Sequence, residues 1–320
     1  MAVYPNTDCL NFCYWMLNVS WQRLSPPRIN VITTVYNAAI AQTSVSDNEW
    51  NNFTQITSWR LPYYRAYSVL SVVNNFYVQN YLSSWSVQPS NAYISALNTL
   101  VDSLIASNDW YYLYDMWIFA TPSSDGSLIS LVNPTNTPLV PVNAPSFTAN
   151  QGYAGNGSSS YIQTPFIPAN YTAFPIQNNV QMGCYLRNNV DENKYHFGVR
   201  DGSSFTSFRA RVSGFAYALL NSSATANYSN TDSRGLHIIS RADASNLSYY
   251  KNGALVNTVS NSSVSPSTRP VYVLCSNENG TPSLFSTNQM SMFFIARSGL
   301  NPVSFYSAFQ TFATTVGFNV

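Results

Sequence analysis

Pro145-Ser-Phe-Thr-Ala-Asn-Gln-Gly152-Tyr-Ala-Gly155-Asn-Gly157-Ser-Ser-Ser-Tyr161-Ile-Gln-Thr-Pro-Phe166 divides the chain in two. Before it the sequence reads mostly as helices and irregular connections. After it come short alternating segments separated by turn residues. The run itself reads as a strand, a glycine-rich bend and a second strand, with Phe147, Tyr153, Tyr161 and Phe166 as aromatic anchors. Its glycines permit backbone paths that a Cβ forbids. It is not a phosphate loop, because no Lys follows the glycines and no helix opens after them.

Downstream, strands are expected near 159–165, 178–187, 194–200, 205–211, 214–220, 235–242, 246–251, 254–259, 270–276 and 286–296. The sharpest local signal is Tyr249-Tyr250-Lys251-Asn252-Gly253-Ala254-Leu255-Val256. Asn252-Gly253 suits a type I′ turn, which needs positive φ at both central residues. Arg200-Asp201-Gly202-Ser203 reads as a second such turn. Short strands at this spacing predict two packed antiparallel sheets rather than βαβ units. A helix over 302–316 closes the chain: Asn301 caps it, Pro302 fits its first turn and Gly317 stops it. Phe305, Tyr306, Phe309, Phe312, Ala313 and Val316 form its apolar stripe, which predicts packing on the sandwich.

Upstream, Pro89-Ser90 opens the clearest helix. Tyr93, Ile94, Leu97, Leu100, Val101, Leu104 and Ile105 recur at three- and four-residue steps, with Asn98, Asp102 and Ser103 on the wet face. Ser90 can accept a bond from a free N–H of the first turn. The continuous apolar run Trp110–Phe119 reads as a buried strand or a core-crossing connection, with a stacking platform for sugar or base as the functional alternative. Prolines 122, 134, 138, 141 and 145 mark an irregular lead into the second half. Further helices are expected over Ile29–Ile40, around Trp50 and Phe53, and from Pro62 through Tyr77. The resulting division is a mostly helical docking or oligomerisation region, 1–125, and a β-sandwich, 126–320.

Composition narrows the function. Charged residues are 8% of the 320, against a usual ~25%, and the formal net charge is +1. Attraction to nucleic acid or an anionic membrane is therefore not the main business. Polarity comes from Asn, Ser, Thr, Gln and Tyr. Such a surface can pack on copies of itself without the cost of desolvating charges, so a homo-oligomer is expected. Cys9, Cys13, Cys184 and Cys275 are too few for a disulfide scaffold, and the last two sit in strand-like runs that predict buried thiols. No signal peptide is recognisable, and no apolar run reaches the ~18 residues that span a bilayer.

The run at 145–166 has the pattern PxFTAxxGYxGxGSSSYIxTxFxP, which resembles the entry into lectin-like domains of bacteriophage virion proteins. Ala96–Ile105, Tyr114–Ala120 and the closing Phe305–Gly317 resemble the helix, strand and final helix that accompany it there. Leu247-Ser-Tyr-Tyr-Lys-Asn-Gly253 is similar to the hairpin of laminin-G and concanavalin-like sandwiches. The resemblance covers about residues 90–320 and leaves 1–89 unmatched. It implies a concanavalin-like jelly roll in a structural protein of the phage particle. It also implies rim calcium as an option, for which Asp201, Asp232 and Asp243 are candidates by residue type alone.

Sugar binding needs aromatic faces and planar polar groups on one surface. Tyr228, Tyr249, Tyr250 and Asn252 are the residues expected to supply them, against a packing role in the hairpin. Glycan hydrolysis needs two opposed carboxylates, and Glu49, Glu192 and Glu278 lie in no acidic cluster. His196 and His237 read as hydrogen-bonded strand residues, and no nucleophile-elbow sequence supports a triad. The expected protein is thus a non-enzymatic capsid decoration, head fibre or tail fibre element without a required cofactor. Its partners would be other virion proteins, copies of itself (a trimer by preference) and cell-surface glycans. A free carbohydrate-binding module or glycan hydrolase, and a purely structural cement protein, are the alternatives.

Overall fold

The computed structural model describes residues 75–171 and 176–320. The chain forms two compact units, Met1–Ser83 and Ser84–Val320. Helix α1 (Phe76–Ser83) belongs to the first. The helices expected at 29–40 and around residues 50–53, the start of the one from Pro62, and Cys9 and Cys13 lie outside the described residues.

The second unit opens with α2 (Asn91–Ala106), β1 (Leu113–Ile118) and the single turn α3 (Ser124–Ser127). Next come β2 (Val140–Val142), β3 (Ser146–Thr148), β4 (Gly152–Ala154), β5 (Tyr161–Gln163) and β6 (Val180–Leu186). A meander follows: β7 (Phe197–Asp201), β8 (Ser204–Val212), β9 (Phe215–Ser222) and β10 (Ala226–Ser229). The remaining strands are β11 (Gly235–Arg241), β12 (Asn246–Lys251), β13 (Ala254–Ser260), β14 (Tyr272–Val273), β15 (Ser276–Glu278), β16 (Thr281–Ser283) and β17 (Gln289–Ala296), before helix α4 (Pro302–Val316). Both α2 and β1 thus sit in the second unit, N-terminal to the 125/126 division expected from sequence.

Two sheets face each other. One runs β13-β12-β11-β6-β17-β4-β3, with β1 also paired to β17. The other runs β10-β9-β8-β7-β14-β5-β2, with β15 joining β7 and β16. Pairing is antiparallel except for β15 on β7. The core between them includes Trp117, Met182, Cys184, Phe197, Phe208, Ile239, Tyr249, Phe293 and Ile295.

The glycine-rich run makes the corner between the sheets. Its first half is the β3–β4 hairpin of one sheet, and β5 belongs to the other. A Cβ on Gly152 would lie 2.0 Å from the Met290 carbonyl oxygen, and one on Gly155 2.1 Å from that of Ser286. Only glycine lets the chain cross so close to the lead-in of β17. Asn156 Oδ1 then holds the bend, accepting from the backbone N–H of Ser158, Ser159 and Ser160 at 3.0, 2.8 and 3.0 Å.

Strands β6 and β17 are buried along their whole length, which explains why neither reads as a simple alternation. Their inner residues enter the core. Their outer residues meet the helices: Phe294 packs on Phe305 at 4.6 Å and Tyr185 on Phe309 at 5.3 Å between centroids. Tyr93 of α2 meets Phe312 of α4 edge-on at 5.7 Å. Helix α4 has the expected bounds and caps, with Asn301 Oδ1 accepting from Val303 N–H at 3.0 Å and Gly317 at φ 90°. Tyr306 and Val316 are only half-buried, so the packed stripe is narrower than the spacing predicts. On α2, Asn98 is buried, not on the wet face. Asp109, also buried, accepts from Ser107 Oγ and from Asn301 N–H, both at 2.7 Å, tying the end of α2 to the start of α4.

Several strands differ from expectation. The single strand expected at 270–276 is broken, because Leu274 takes φ 65° between β14 and β15. Strand β10 lacks a strong apolar pattern and was not expected; it forms by pairing with β9. The turn after β7 is Gly202-Ser203, with positive φ only at Gly202, as a type II′ turn has. Asn252 and Gly253 are both at positive φ, 49° and 79°, matching type I′.

Trp117 is 1% exposed and stacks on Phe293 at 5.8 Å and 13°. Trp117→Ala is expected to cost roughly 3–5 kcal/mol, read as a lower urea midpoint at an unchanged slope. A loss under about 1 kcal/mol would show that β1 is not part of the cooperative core.

Candidate functional site

The residues expected to bind sugar are not brought together on the surface. Tyr228 is 2% exposed and Tyr249 0%. Tyr228 Oη donates to the Leu247 carbonyl at 2.8 Å, and Tyr249 Oη pairs with His237 Nδ1 at 2.7 Å. Both rings are core, because β10 and β12 turn those positions inward. Asn252 is spent on the hairpin, its Oδ1 accepting from Leu236 N–H at 2.8 Å. Tyr250 points outward, half-buried, across from Leu255.

The three calcium candidates lie apart and are each engaged. Asp201 accepts from Thr268 N–H at 3.0 Å and pairs with Arg269 at 3.4 Å. These contacts, led by the Thr268 hydroxyl, hold its carboxyl below the usual range. Asp232 is gripped by Arg234 at 2.8 Å, which lowers it to about 2. Asp243 closes a tight turn, accepting from Ser245 and Asn246 N–H at 2.7 and 2.8 Å. Among the described residues no three His, Cys, Asp or Glu side chains converge.

The glutamates that hydrolysis would need are tied up in the same way. Glu192 is half-buried and accepts from the hydroxyls of Ser286 and Thr287 and from Thr287 N–H at 3.0 Å. Glu278 pairs with Arg200 at 3.7 Å. Glu49 lies outside the described residues. Both histidines are buried. His196 Nδ1 accepts from Ala210 N–H at 3.1 Å, which places its proton on Nε2, 3.8 Å from Glu192. His237 Nε2 donates to the Ser233 carbonyl at 2.9 Å, so Nδ1 accepts from Tyr249. Burial holds His196 down at about 4 and His237 at about 3.

A convergent surface does exist, on the sheet that carries β8 and β9, on the face turned away from the core. On β8, Phe208 and Ala210 point inward, which turns Arg209 and Arg211 outward. On β9, Ala216 and Ala218 point inward, which turns Phe215 and Tyr217 outward; Phe215 is 44% exposed. The register places Arg209 opposite Tyr217, and Tyr217 opposite the exposed Asn227 of β10. Tyr195, before β7, completes the group. The Arg209 guanidinium carbon lies 4.8 Å from the Tyr217 ring centre and 5.2 Å from that of Tyr195. Its Nη1 donates to Asn193 Oδ1 at 2.7 Å. A guanidinium flanked by two ring faces, bordered by two asparagine amides, offers stacking surface and planar polar groups together.

Sequence reasoning missed this group because its members are spread from 193 to 227. Alternation along β8 and β9 marks their outward positions. Only the register brings them side by side.

No protein-family model and no curated protein matches the chain. Among solved structures it is similar to a chain of botulinum neurotoxin type C, whose cell entry is dependent upon interaction with two ganglioside molecules. That likeness has a TM-score of 0.49 and 12% identity, over 65% of this chain and 53% of that one. The binding domain of botulinum neurotoxin serotype D gives 0.45 and 9%, over 62% and 52%. A Trypanosoma rangeli sialidase mutant displaying trans-sialidase activity gives 0.47 and 10%, over 68% and 39%. The chain spans about half the length of the toxin chains it matches.

The buried histidines make an acid-sensitive element. Their folded values lie below the ordinary ~6.5, so the folded state binds fewer protons. Their stabilising effect is complete above that value and is lost as pH falls toward about 4 and 3. Asp115, raised to about 6 by burial, works in the opposite sense over pH 6 to 4. The test is urea unfolding at pH 7 and 4.5 for the wild type and His237→Gln. The wild type should lose more stability between these conditions than the variant; equal losses would remove His237 from the account.

Proposed function

We propose that the chain is a non-enzymatic structural protein of a tailed-phage virion, a capsid decoration or fibre element. Its second unit presents a lectin-like sandwich that adheres to glycans through the Tyr195–Arg209–Tyr217 surface. The observation that carries the binding part is that surface: ring faces, a guanidinium and amides on one outward sheet face. The non-enzymatic part is supported by the engagement of Glu192 and Glu278 in structural contacts. The virion part rests on the resemblance of the 145–166 run and on the charge-poor composition. The first unit docks the chain on the particle or holds a trimer together, and many weak copies combine by avidity. Calcium is not required in this reading.

A purely structural cement protein is the second reading. The edge strand β13 favours it, being exposed through most of its length and without charge, with Leu255 54% exposed. Such an edge can pack against a neighbour.

Three measurements test the proposal. The chain should be found in purified particles by mass spectrometry and cryo-microscopy, and absence from them ends the virion reading. Light scattering on the purified chain should give a trimer. On a glycan array the multimer should bind, Tyr217→Ala should weaken binding about tenfold, ~1.4 kcal/mol, and chelation should leave it unchanged. Assembly on the particle without binding to any glycan would favour cement.

A further inference from the structure

Arg209 stands out among the cations of its sheet face. Arg211 lies 3.5 Å from Asp191, and Arg200 3.7 Å from Glu278. Arg209 has no carboxylate within ion-pair distance among the described residues; its one hydrogen-bond acceptor is the neutral Asn193 amide. Its Nε is buried and makes no hydrogen bond. Arg241 on β11 also has no carboxylate, but its N–H groups go to the Leu220 and Asn261 backbone carbonyls. The Arg209 cation is held by two ring faces instead. The rings do not neutralise it, and with Nε buried the edge left to a ligand is that of the two Nη groups. A planar, positively charged fork in that state matches a carboxylate, which can accept two parallel N–H bonds.

We propose that this surface is selective for carboxylate-bearing saccharides, the acid group docking on Arg209 while a sugar ring packs on Tyr217 or Tyr195. The inference rests on the glycan-binding reading above and names the ligand class for the same surface. Neutral sugars engage only the rings and the flanking amides of Asn193 and Asn227. Acidic sugars add the charge-assisted bonds, and the acids of this face, Asp191 and Glu278, are already paired with Arg211 and Arg200.

The test uses the full chain, with sialyllactose against lactose and oligogalacturonate against the matching neutral galactose oligomer, measured by calorimetry or surface plasmon resonance. The acidic member of each pair should bind at least tenfold tighter, and that advantage should shrink as salt rises from 50 to 500 mM, since the contact is ionic. Arg209→Gln should bring the acidic sugars down to the level of the neutral ones and abolish the salt dependence of the difference. Unchanged circular dichroism and melting temperature would confirm that the variant is folded. Should Arg209→Gln fail to fold, the salt dependence of the wild type still decides. Equal binding of acidic and neutral sugars, or an acidic preference insensitive to salt and to Arg209→Gln, overturns the inference while glycan binding stands. No binding of any sugar overturns both.

Discussion

Strand β17 is paired along both edges and packed on both faces, and the rest of the second unit is arranged to make that possible. One edge is filled by β6. The other is shared end to end by β1 and β4, with Phe119 and Ala120 N–H both donating to the Ser291 carbonyl at the handover, at 2.7 and 3.1 Å. Met290, Phe293 and Ile295 fill the sandwich core, while Phe294 lies under α4. A strand in this position has no water to satisfy its backbone, so each donor and acceptor needs a protein partner. Three separate parts of the sequence are recruited for this: the helical lead-in, the glycine-rich corner and the C-terminal helix.

Covering one sheet with helices makes the two outer faces different. On the helix-backed side, tyrosine becomes a packing residue: Tyr185 is fully buried, its hydroxyl donating to Gln310 at 3.2 Å. On the β8–β9 side, Tyr217 is only half-buried and takes a guanidinium over its ring. The same residue type is therefore a core residue on one sheet and a half-buried surface residue on the other.

Scarce charge is used locally. Asp109 joins α2 to α4, Asp243 closes a turn, and Glu192 ties the approach to β7 to that of β17. Arg241 is fully buried without a carboxylate; Nε donates to the Leu220 carbonyl and Nη1 to that of Asn261, both at 2.7 Å. It links β11 to β9 across the sandwich through neutral acceptors. A buried cation held this way avoids an orphaned donor at the cost of its hydration. Against this pattern of engaged charges, the ring-flanked Arg209 is set apart.

What was legible in the sequence was local. Asn301, Pro302 and Gly317 set the bounds of α4, because capping and φ preference act within one turn. Asn252-Gly253 set the β12–β13 hairpin for the same reason, and short strand-like segments between turn residues announced a sandwich. Tertiary structure alone decided which tyrosines face inward. Tyr228 and Tyr249 were candidates for binding by residue type, yet their strands carry them into the core. Tyr217, one strand from Tyr228, faces out beside Arg209. Side-chain direction follows from register and sheet order, which depend on pairings between residues far apart in the chain. The glycine run was conspicuous as a boundary, but its role as the corner between two sheets became visible only once β17 lay against it.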